Sequence, residues 1–389
     1  MGRVSGCPAT PTSCGYAAFV STTPAALTWG QVLAWRMRRQ HLDPVDGGDA
    51  VEVVRRLCGV QAQVRSAAEL AVALRQEDGK EPPPGLRAAM DSRSVIRTWA
   101  MRGTLHALPA DVAPAYLSLL AAGRTWHRPS WQRNFATVAQ IEKLTEVVAE
   151  VLDDGRTPTR EELLREVVAR TGDTQLGTQL TSGWSSVLKP LAWQGELVQG
   201  PSAGQRVTFA RPHRWVPGWT GPPDPDQAAP VVIRAYLGAY GPAGPGTFSD
   251  WLLRGATPMA TLRRWFADLG EEIVTVQVEG EPLCLRAEDV DDVARTKPSR
   301  TVRLLPGFDQ YVLGPGTADG HVLPAAWRDL VSRAAGWISP VVVVGGRVAG
   351  TWAADGEEIA VTPFPDVRKL PGRALKQEIK RVRAVTARG

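Results

Sequence analysis

The chain has 389 residues, of which 43% are apolar and 22% charged, a balance typical of globular proteins and unlike disordered, collagen-like or coiled-coil chains. This length predicts about two to four domains, and no apolar run reaches the ~18 residues of a membrane span, so we expect no membrane partner. The net charge is +5, with arginine as 38 of the 45 basic residues, and the guanidinium fork suits phosphate and guanine edges.

The cysteines and histidines do not suggest a metal site. Cys7, Cys14, Cys58 and Cys284 form no C-x-x-C pair, and no Cys/His cluster has zinc spacing, so we predict neither metal nor cofactor. The segment 1–27 lacks the basic-then-apolar pattern of a signal peptide. We predict a flexible N-terminal tail there and, because free thiols fit a reducing compartment, a cytoplasmic location.

Residues 28–123 are predicted to form a first domain. Thr28 is placed to cap its first helix. Apolar residues at helical spacing predict helices over 29–40, 49–58, 66–76 and 86–95. Alternating apolar and polar residues over 96–108 predict a β-hairpin. Short helices followed by a hairpin are the plan of a winged helix.

The same plan recurs twice. Residues 124–216 are predicted to form a second domain, which precedes a Pro-rich linker over 217–230 and a third domain over 231–367. The second has predicted helices over 138–152 and 180–193, the latter kinked or cut short by Pro190. It also has a capping box at 157–162 and a hairpin around 202–204. The third has predicted helices over 231–240, 247–253 and 258–269 and a hairpin around Gly280.

The C-terminal part is predicted to be rich in β structure. Strands are expected at 302–305, 341–344 and 347–353, the last two joined by the Gly345-Gly346 turn, and 311–313 also reads as a strand. Residues 368–389 are predicted to form a basic helix or tail, with eight basic residues against one acid, Glu378. Such a run is either a solvent-exposed tail or a binding surface for nucleic acid. The predicted fold class is therefore α+β.

Two segments can carry chemistry. Gln61 and Gln63 lie between two predicted helices in the sequence GVQAQ. In an extended segment they point to the same side, where two amides can hold a water between an acceptor and a donor; alternatively they cap helices or face solvent. The hairpin 97–106 carries Arg97, Arg102 and His106, which can track a nucleic-acid backbone, while Trp99 and its neighbours pack inward.

Four segments together resemble the AlkZ-like family of bacterial DNA glycosylases, across roughly 28–364. They are GVQAQ at 59–63, RTWAMRGTLH at 97–106, LLPGFDQYVLG at 304–314 and GGRVAGTW at 345–352. The resemblance implies three tandem winged-helix domains with C-terminal β-rich elements, forming a C-shaped clamp on double-stranded DNA. It also implies removal of N7-alkylated purines, including bulky adducts and interstrand crosslinks, for repair or for self-resistance in producers of DNA-alkylating antibiotics.

The resemblance assigns Gln61 and Gln63 as the catalytic pair. An N7-alkylguanine is already cationic, so its glycosidic bond is weakened, and the enzyme mainly has to place a water and stabilise charge on the sugar. We expect Gln63 to orient the water and Gln61 to contact the sugar. No lysine is close to the motif in sequence, so we expect a monofunctional enzyme that leaves an abasic site.

Five residues are predicted to contact DNA: Arg65, Arg97, Arg102, His106 and Arg347. We further expect a monomer, associated with the bacterial nucleoid. Two rival hypotheses remain. The chain is a non-enzymatic winged-helix DNA-binding protein, either a regulator or a drug-sequestering protein, or it is a hydrolase that acts on a small drug molecule.

Overall fold

The computed structural model describes residues 26–77, 83–181, 186–356 and 358–387. The predicted tail therefore lies outside the described residues, apart from 26–27. The mixed α+β fold that the sequence predicts is present. Within these residues the strands form three sheets, of three, five and four strands.

The N-terminal part contains two groups of elements. Its helices and strands are β1 (Ala26–Leu27), α1 (Trp29–Arg39), α2 (Ala50–Arg56), β2 (Val60–Gln61), α3 (Arg65–Ala73), α4 (Leu86–Asp91), β3 (Val95–Trp99) and β4 (Leu105–Pro109). Thr28 caps α1 as predicted, in a capping box with Gln31. However, α1 packs against the helices Pro225–Tyr240 and Val290–Arg295, and β1 pairs with the strand Ile273–Val278, so these two elements join distant parts of the chain.

The middle of the chain is mainly helical. Its elements are α5 (Ala113–Ala122), α6 (Pro129–Asn134), α7 (Val138–Val151), α8 (Arg160–Thr171), α9 (Thr174–Thr181), α10 (Lys189–Trp193), β5 (Val198–Gln199), β6 (Phe209–Ala210) and α11 (Pro212–Trp215). The capping box at Thr159 and Glu162 is present. The interruption expected at Pro190 is present, because a short 3-10 turn over Ser186–Leu188 precedes α10. Pro190 lies in the first turn of α10, where its missing N–H costs nothing.

The next part begins inside the predicted linker 217–230. Its elements are α12 (Pro225–Tyr240), α13 (Pro245–Leu253), α14 (Met259–Ala267), β7 (Ile273–Val278), β8 (Glu281–Arg286) and α15 (Val290–Arg295). α12 starts six residues earlier than predicted, because Asp224 caps it and Pro225 occupies its first position. The hairpin around Gly280 is confirmed, with Val278 opposite Glu281.

The C-terminal part builds the four-stranded antiparallel sheet. Its elements are β9 (Val302–Leu305), α16 (Gln310–Leu313), α17 (Arg328–Val331), β10 (Val341–Val344), β11 (Arg347–Asp355), β12 (Glu358–Pro363) and α18 (Gly372–Thr386). Strand β12 was not predicted. The strand predicted at 311–313 is wrong: the Asp309 carboxylate accepts a hydrogen bond from the Tyr311 N–H and starts a short helix instead. The basic terminal helix is confirmed as α18.

One pairing recurs in three places. A residue in front of a helix pairs antiparallel with the second strand of the hairpin that follows. The pairs are Val60 with Ala107, Thr159 with Thr208, and Ala243 with Cys284. The first two hairpins also join edge to edge at Arg97 and Gln199. One buried apolar cluster runs through all three hairpin-bearing parts, so they pack as a continuous body around the Gln61 segment.

Candidate active site

Gly59 determines how the chain enters the segment with the two glutamines. Its φ is +95°, and a Cβ there would lie 2.6 Å from the Leu108 side chain and 3.2 Å from the Ala107 oxygen. Only glycine tolerates both conditions without strain. The turn lets Val60 and Gln61 pair with β4, and the Ala62 N–H then donates to the Leu105 carbonyl at 2.8 Å. The backbone of Gln61 is therefore fixed by the sheet.

Gln61 lies in the wall of a cleft of about 710 Å³. Its side chain is 7% exposed, and its amide makes no hydrogen bond to the described part of the chain, so both its donor and its acceptor remain available. The cleft lies between the turn that joins β3 to β4, helix α13, and the loop over 313–321. Other residues lining it include Trp29, Arg36, Arg102, Thr104, Tyr240, Asp250, Arg254, Glu281, Asp319 and His321.

Gln63 has a different environment. It is exposed, and its Oε1 accepts a hydrogen bond from the Leu105 N–H at 3.4 Å. The residues that line the cleft include Gln61 but not Gln63. The sheet therefore holds the Gln63 oxygen in one direction, and the amide nitrogen makes no hydrogen bond to the part of the chain that the structure describes.

Arg65 and Arg97 are brought together beside the second hairpin. Arg65 is exposed at the start of α3 and donates to the Ser202 hydroxyl at 2.8 Å. Arg97 is partly buried on β3, and burial together with the charge of Arg65 lowers its pKa to about 10. At that pKa Arg97 is still charged at neutral pH, so it forms a cationic patch with Arg65.

Arg102 lies at the turn between β3 and β4, in a left-handed conformation with φ of +58°. Its Nη1 donates to the Trp251 carbonyl at 3.2 Å, which attaches the turn to α13. Burial lowers its pKa to about 10. Because Arg102 also lines the cleft, it places a positive charge in the same cleft as Gln61.

His106 has no exposed surface, which argues against the DNA contact that the sequence suggested for it. It stands opposite Gln61 in the sheet, with Nδ1 at 3.0 Å from the Thr104 carbonyl. Burial, and then the charge of Arg102, lower its pKa to about 3. The imidazole is therefore neutral at physiological pH and supports the strand rather than a phosphate.

Arg347 is at the start of β11, after the Gly345-Gly346 turn. It is exposed, and its Nη2 lies 3.4 Å from the carbonyl of Gly320. Gly320 belongs to the loop that lines the cleft. Arg347 is thus close to the cleft and available to a ligand there.

Several cleft residues were missed from the sequence. The rings of Trp29 and His321 stack with centroids 3.6 Å apart, and Arg36 pairs with Asp319 at 3.2 Å. These pairs join residues almost three hundred positions apart. Nothing local in the sequence marks them, since Trp29 and Arg36 read as ordinary helix positions and His321 as a loop residue.

Two other features, a metal-binding cluster and a membrane-spanning helix, would indicate a different kind of site. Across residues 26–77, 83–181, 186–356 and 358–387, no group of three or more His, Cys, Asp or Glu residues is arranged to hold a metal ion. No helix in these same ranges has the length and apolar character needed to cross a membrane. The chemistry of the cleft is therefore that of amides, guanidinium groups, aromatic rings and a few carboxylates.

Comparison with known proteins points to one family. The family model "DNA glycosylase AlkZ-like" matches residues 54–385. An interstrand DNA cross-link repair glycosylase of Streptomyces sahachiroi is 49% identical over 357 residues, covering 91% of this chain and 95% of its own. The solved structure of the Streptomyces sahachiroi DNA glycosylase AlkZ superposes with a TM-score of 0.88 at 48% identity, covering 93% of this chain and 98% of its own. The chain thus belongs to the AlkZ-like family of DNA glycosylases.

Proposed function

We propose that this DNA glycosylase hydrolyses the N-glycosidic bond of N7-alkylated guanine in double-stranded DNA, with Gln61 and Gln63 as its catalytic residues. The observation that carries the proposal is the position of Gln61, fixed by a strand in the wall of a large cleft with its amide free. A neutral amide is too weak a base to remove a proton from water at neutral pH. It suits a substrate whose leaving base is already cationic.

The two glutamines have separate roles in this proposal. The Gln63 oxygen is held by the Leu105 N–H and keeps a second lone pair, so it can fix the direction of an attacking water. Gln61 contacts the sugar from the cleft, where its dipole stabilises the positive charge that develops at the anomeric carbon. The bond from that carbon to N9 breaks with its electron pair passing to the base, which leaves as a neutral 7-alkylguanine. Water adds to the anomeric carbon and its proton passes to the solvent, which leaves an abasic site.

The size and shape of the cleft favour bulky adducts. A volume of about 710 Å³ lies within the ~300–1,000 Å³ range of drug-sized ligand sites. The relative from Streptomyces sahachiroi is named for repair of interstrand cross-links. We extend that substrate class to this chain, with natural-product adducts as the physiological lesion and self-resistance or repair as the purpose.

The proposed architecture is three tandem winged-helix domains, over 28–123, 124–216 and 231–367, in a C-shaped clamp. The recurring pairing of Val60, Thr159 and Ala243 with the following hairpins supports it, because a strand before the second helix that joins the wing is the topology of a winged helix. We further propose that the clamp works as a monomer, contacts DNA through Arg65, Arg97, Arg102 and Arg347, and resides with the nucleoid in the cytoplasm.

A base-release assay with the wild-type protein tests this proposal. The substrates are a duplex with one N7-methylguanine, one with a bulky N7 adduct, one with an N7–N7 interstrand crosslink, and an undamaged duplex. We expect abasic sites above the spontaneous rate in the alkylated duplexes, and unhooked strands from the crosslink. Binding without release from every lesion would support the rival DNA-binding protein.

Borohydride trapping tests the monofunctional mechanism. Lys189 lies near the turn at Gly103 in the fold, although it is far from the glutamines in sequence, and burial lowers its pKa. It does not line the cleft, so we expect no covalent complex with DNA during turnover. A trapped complex that disappears in Lys189→Met would instead show a lyase step.

A further inference from the structure

Three positive side chains converge at the turn that joins β3 to β4. Arg102 occupies the turn itself. The Lys189 Nζ, from the start of α10, lies 3.5 Å from the position that a Cβ on Gly103 would take. Arg254 caps the C-terminal end of α13, and its charge acts on both Arg102 and Lys189. The three belong to the first, second and third hairpin-bearing parts of the chain, so the cluster forms only in the folded protein.

These three cations have no acidic partner among the residues that the structure describes. No carboxylate oxygen in those residues lies within 4.0 Å of Arg102, Lys189 or Arg254, whereas other arginines of the fold, such as Arg36, Arg75 and Arg211, have such a partner. The Arg102 Nη2 is buried and makes no hydrogen bond within the described residues. Unpaired charges in a buried site are costly, and proteins normally neutralise them.

The cluster opens on the catalytic cleft. Arg102 and Arg254 line it together with Gln61. Burial lowers the pKa of Lys189 and Arg102, and the neighbouring charge of Arg254 adds to the effect, as expected when like charges are crowded without an anion. A phosphodiester would relieve this repulsion, because guanidinium groups bind its oxygens through paired N–H donors.

We propose that Arg102 and Arg254 bind one phosphodiester of the damaged strand, with Lys189 adding charge from beneath the Gly103 turn. The bound phosphate holds the damaged nucleotide against Gln61. This inference rests on the proposed function, because it takes DNA as the ligand of the cleft. Arg102 and Arg254 contact the ligand, whereas Lys189 is a positioning residue that acts through the turn.

Neutral-linkage scanning tests the proposal. A set of duplexes is prepared, each with one N7-methylguanine and one methylphosphonate linkage, which has no charge. The methylphosphonate replaces a different phosphate around the lesion in each duplex. The dissociation constant is measured for the wild type, Arg254→Ala, Arg102→Gln and Lys189→Met, with the exposed Arg295→Ala as matched control. Thermal unfolding of each variant identifies any that fails to fold. Arg254 is exposed, so its variant keeps the test valid if Arg102→Gln is unstable.

In the wild type and Arg295→Ala, we expect one linkage at which neutralisation weakens binding about tenfold, as for the loss of one charge-assisted hydrogen-bonded contact. In Arg254→Ala and Arg102→Gln, neutralising the same linkage should raise the dissociation constant less than about twofold, because one of the charges that contacts it is already gone. In Lys189→Met, neutralising that linkage should still weaken binding, but less than it does in the wild type.

Equal losses in all proteins at every linkage would overturn the phosphate site. Base release by the wild type is measured on the same unmodified duplex, which separates the two proposals. If the base is released but no linkage has an effect that depends on Arg102 or Arg254, the phosphate site is refuted and the glycosylase mechanism remains. If one linkage has an effect that depends on Arg102 and Arg254 but no base is released from any lesion, the glycosylase mechanism is refuted. The phosphate site then remains as part of a DNA-binding surface.

Discussion

His106 places a neutral imidazole in the strand opposite Gln61. Its pKa is about 3 in the folded protein and about 6.5 in an unfolded chain. Between these values the unfolded state binds one more proton than the folded state. The free energy of unfolding therefore falls as the pH falls from about 6.5 to about 3, by up to about 1.4 kcal/mol per pH unit from this group.

We predict that His106→Asn unfolds with a smaller acid sensitivity than the wild type. Asparagine can keep the hydrogen bond to the Thr104 carbonyl but does not titrate. Thermal midpoints at pH 7.5 and pH 4.5, chosen as about one to two units either side of the unfolded pKa, give the comparison. His213→Asn, at an exposed position, is the control. Equal acid-induced losses in His106→Asn and the wild type would show that His106 is not the titrating group.

A buried ion pair joins Arg75, just after helix α3, to Asp309, the residue that caps the short helix α16. Arg75 Nη2 and Nη1 lie 2.7 Å and 2.8 Å from the two Asp309 oxygens, with side-chain exposures of 0% and 1%. Asp309 belongs to the LLPGFDQYVLG segment. The structure gives that segment a structural role: it ties the part of the chain that carries the glutamines to the C-terminal sheet.

We predict that Asp309→Ala lowers the free energy of unfolding by about 3–5 kcal/mol, because it leaves the Arg75 charge buried without a partner. The surface pair Arg55–Asp111 also has two hydrogen bonds, both donated by the Arg55 Nη2. Asp111→Ala should therefore cost no more than about 1 kcal/mol. Chemical denaturation of both variants checks the difference, and a similar loss for the two would contradict it.

Much of the fold was predictable because its signals are local. Thr28, Thr159 and the Gly345-Gly346 turn mark a helix start or a hairpin within a few residues. The 311–313 helix was not predictable, since Asp309 is held in its capping position by Arg75, which lies 234 residues away. The glutamines were found through a motif, but the cleft around them was not.

At the scale of the whole molecule, the proposed function requires that the protein bind DNA through dispersed cations. If Arg102 and Arg254 share one phosphate and Arg65, Arg97 and Arg347 each contact another, about four phosphates are neutralised. The logarithm of the binding constant should then fall with that of the salt concentration with a slope of about −3 to −4. Fluorescence anisotropy on undamaged duplex over a salt series measures this slope. A slope near zero would favour the rival hydrolase of a small drug molecule.

The central claim is that Gln61 acts in the cleft on DNA that the rest of the protein binds. The most direct test is single-turnover release of N7-methylguanine from duplex DNA by Gln61→Ala, beside the wild type and Gln227→Ala, an exposed glutamine on α12. We predict that Gln61→Ala slows release about 100-fold or more, as when a preorganised dipole is removed from a transition state, with little change in DNA affinity, and that Gln227→Ala matches the wild type. Release by Gln61→Ala at the wild-type rate would contradict the account.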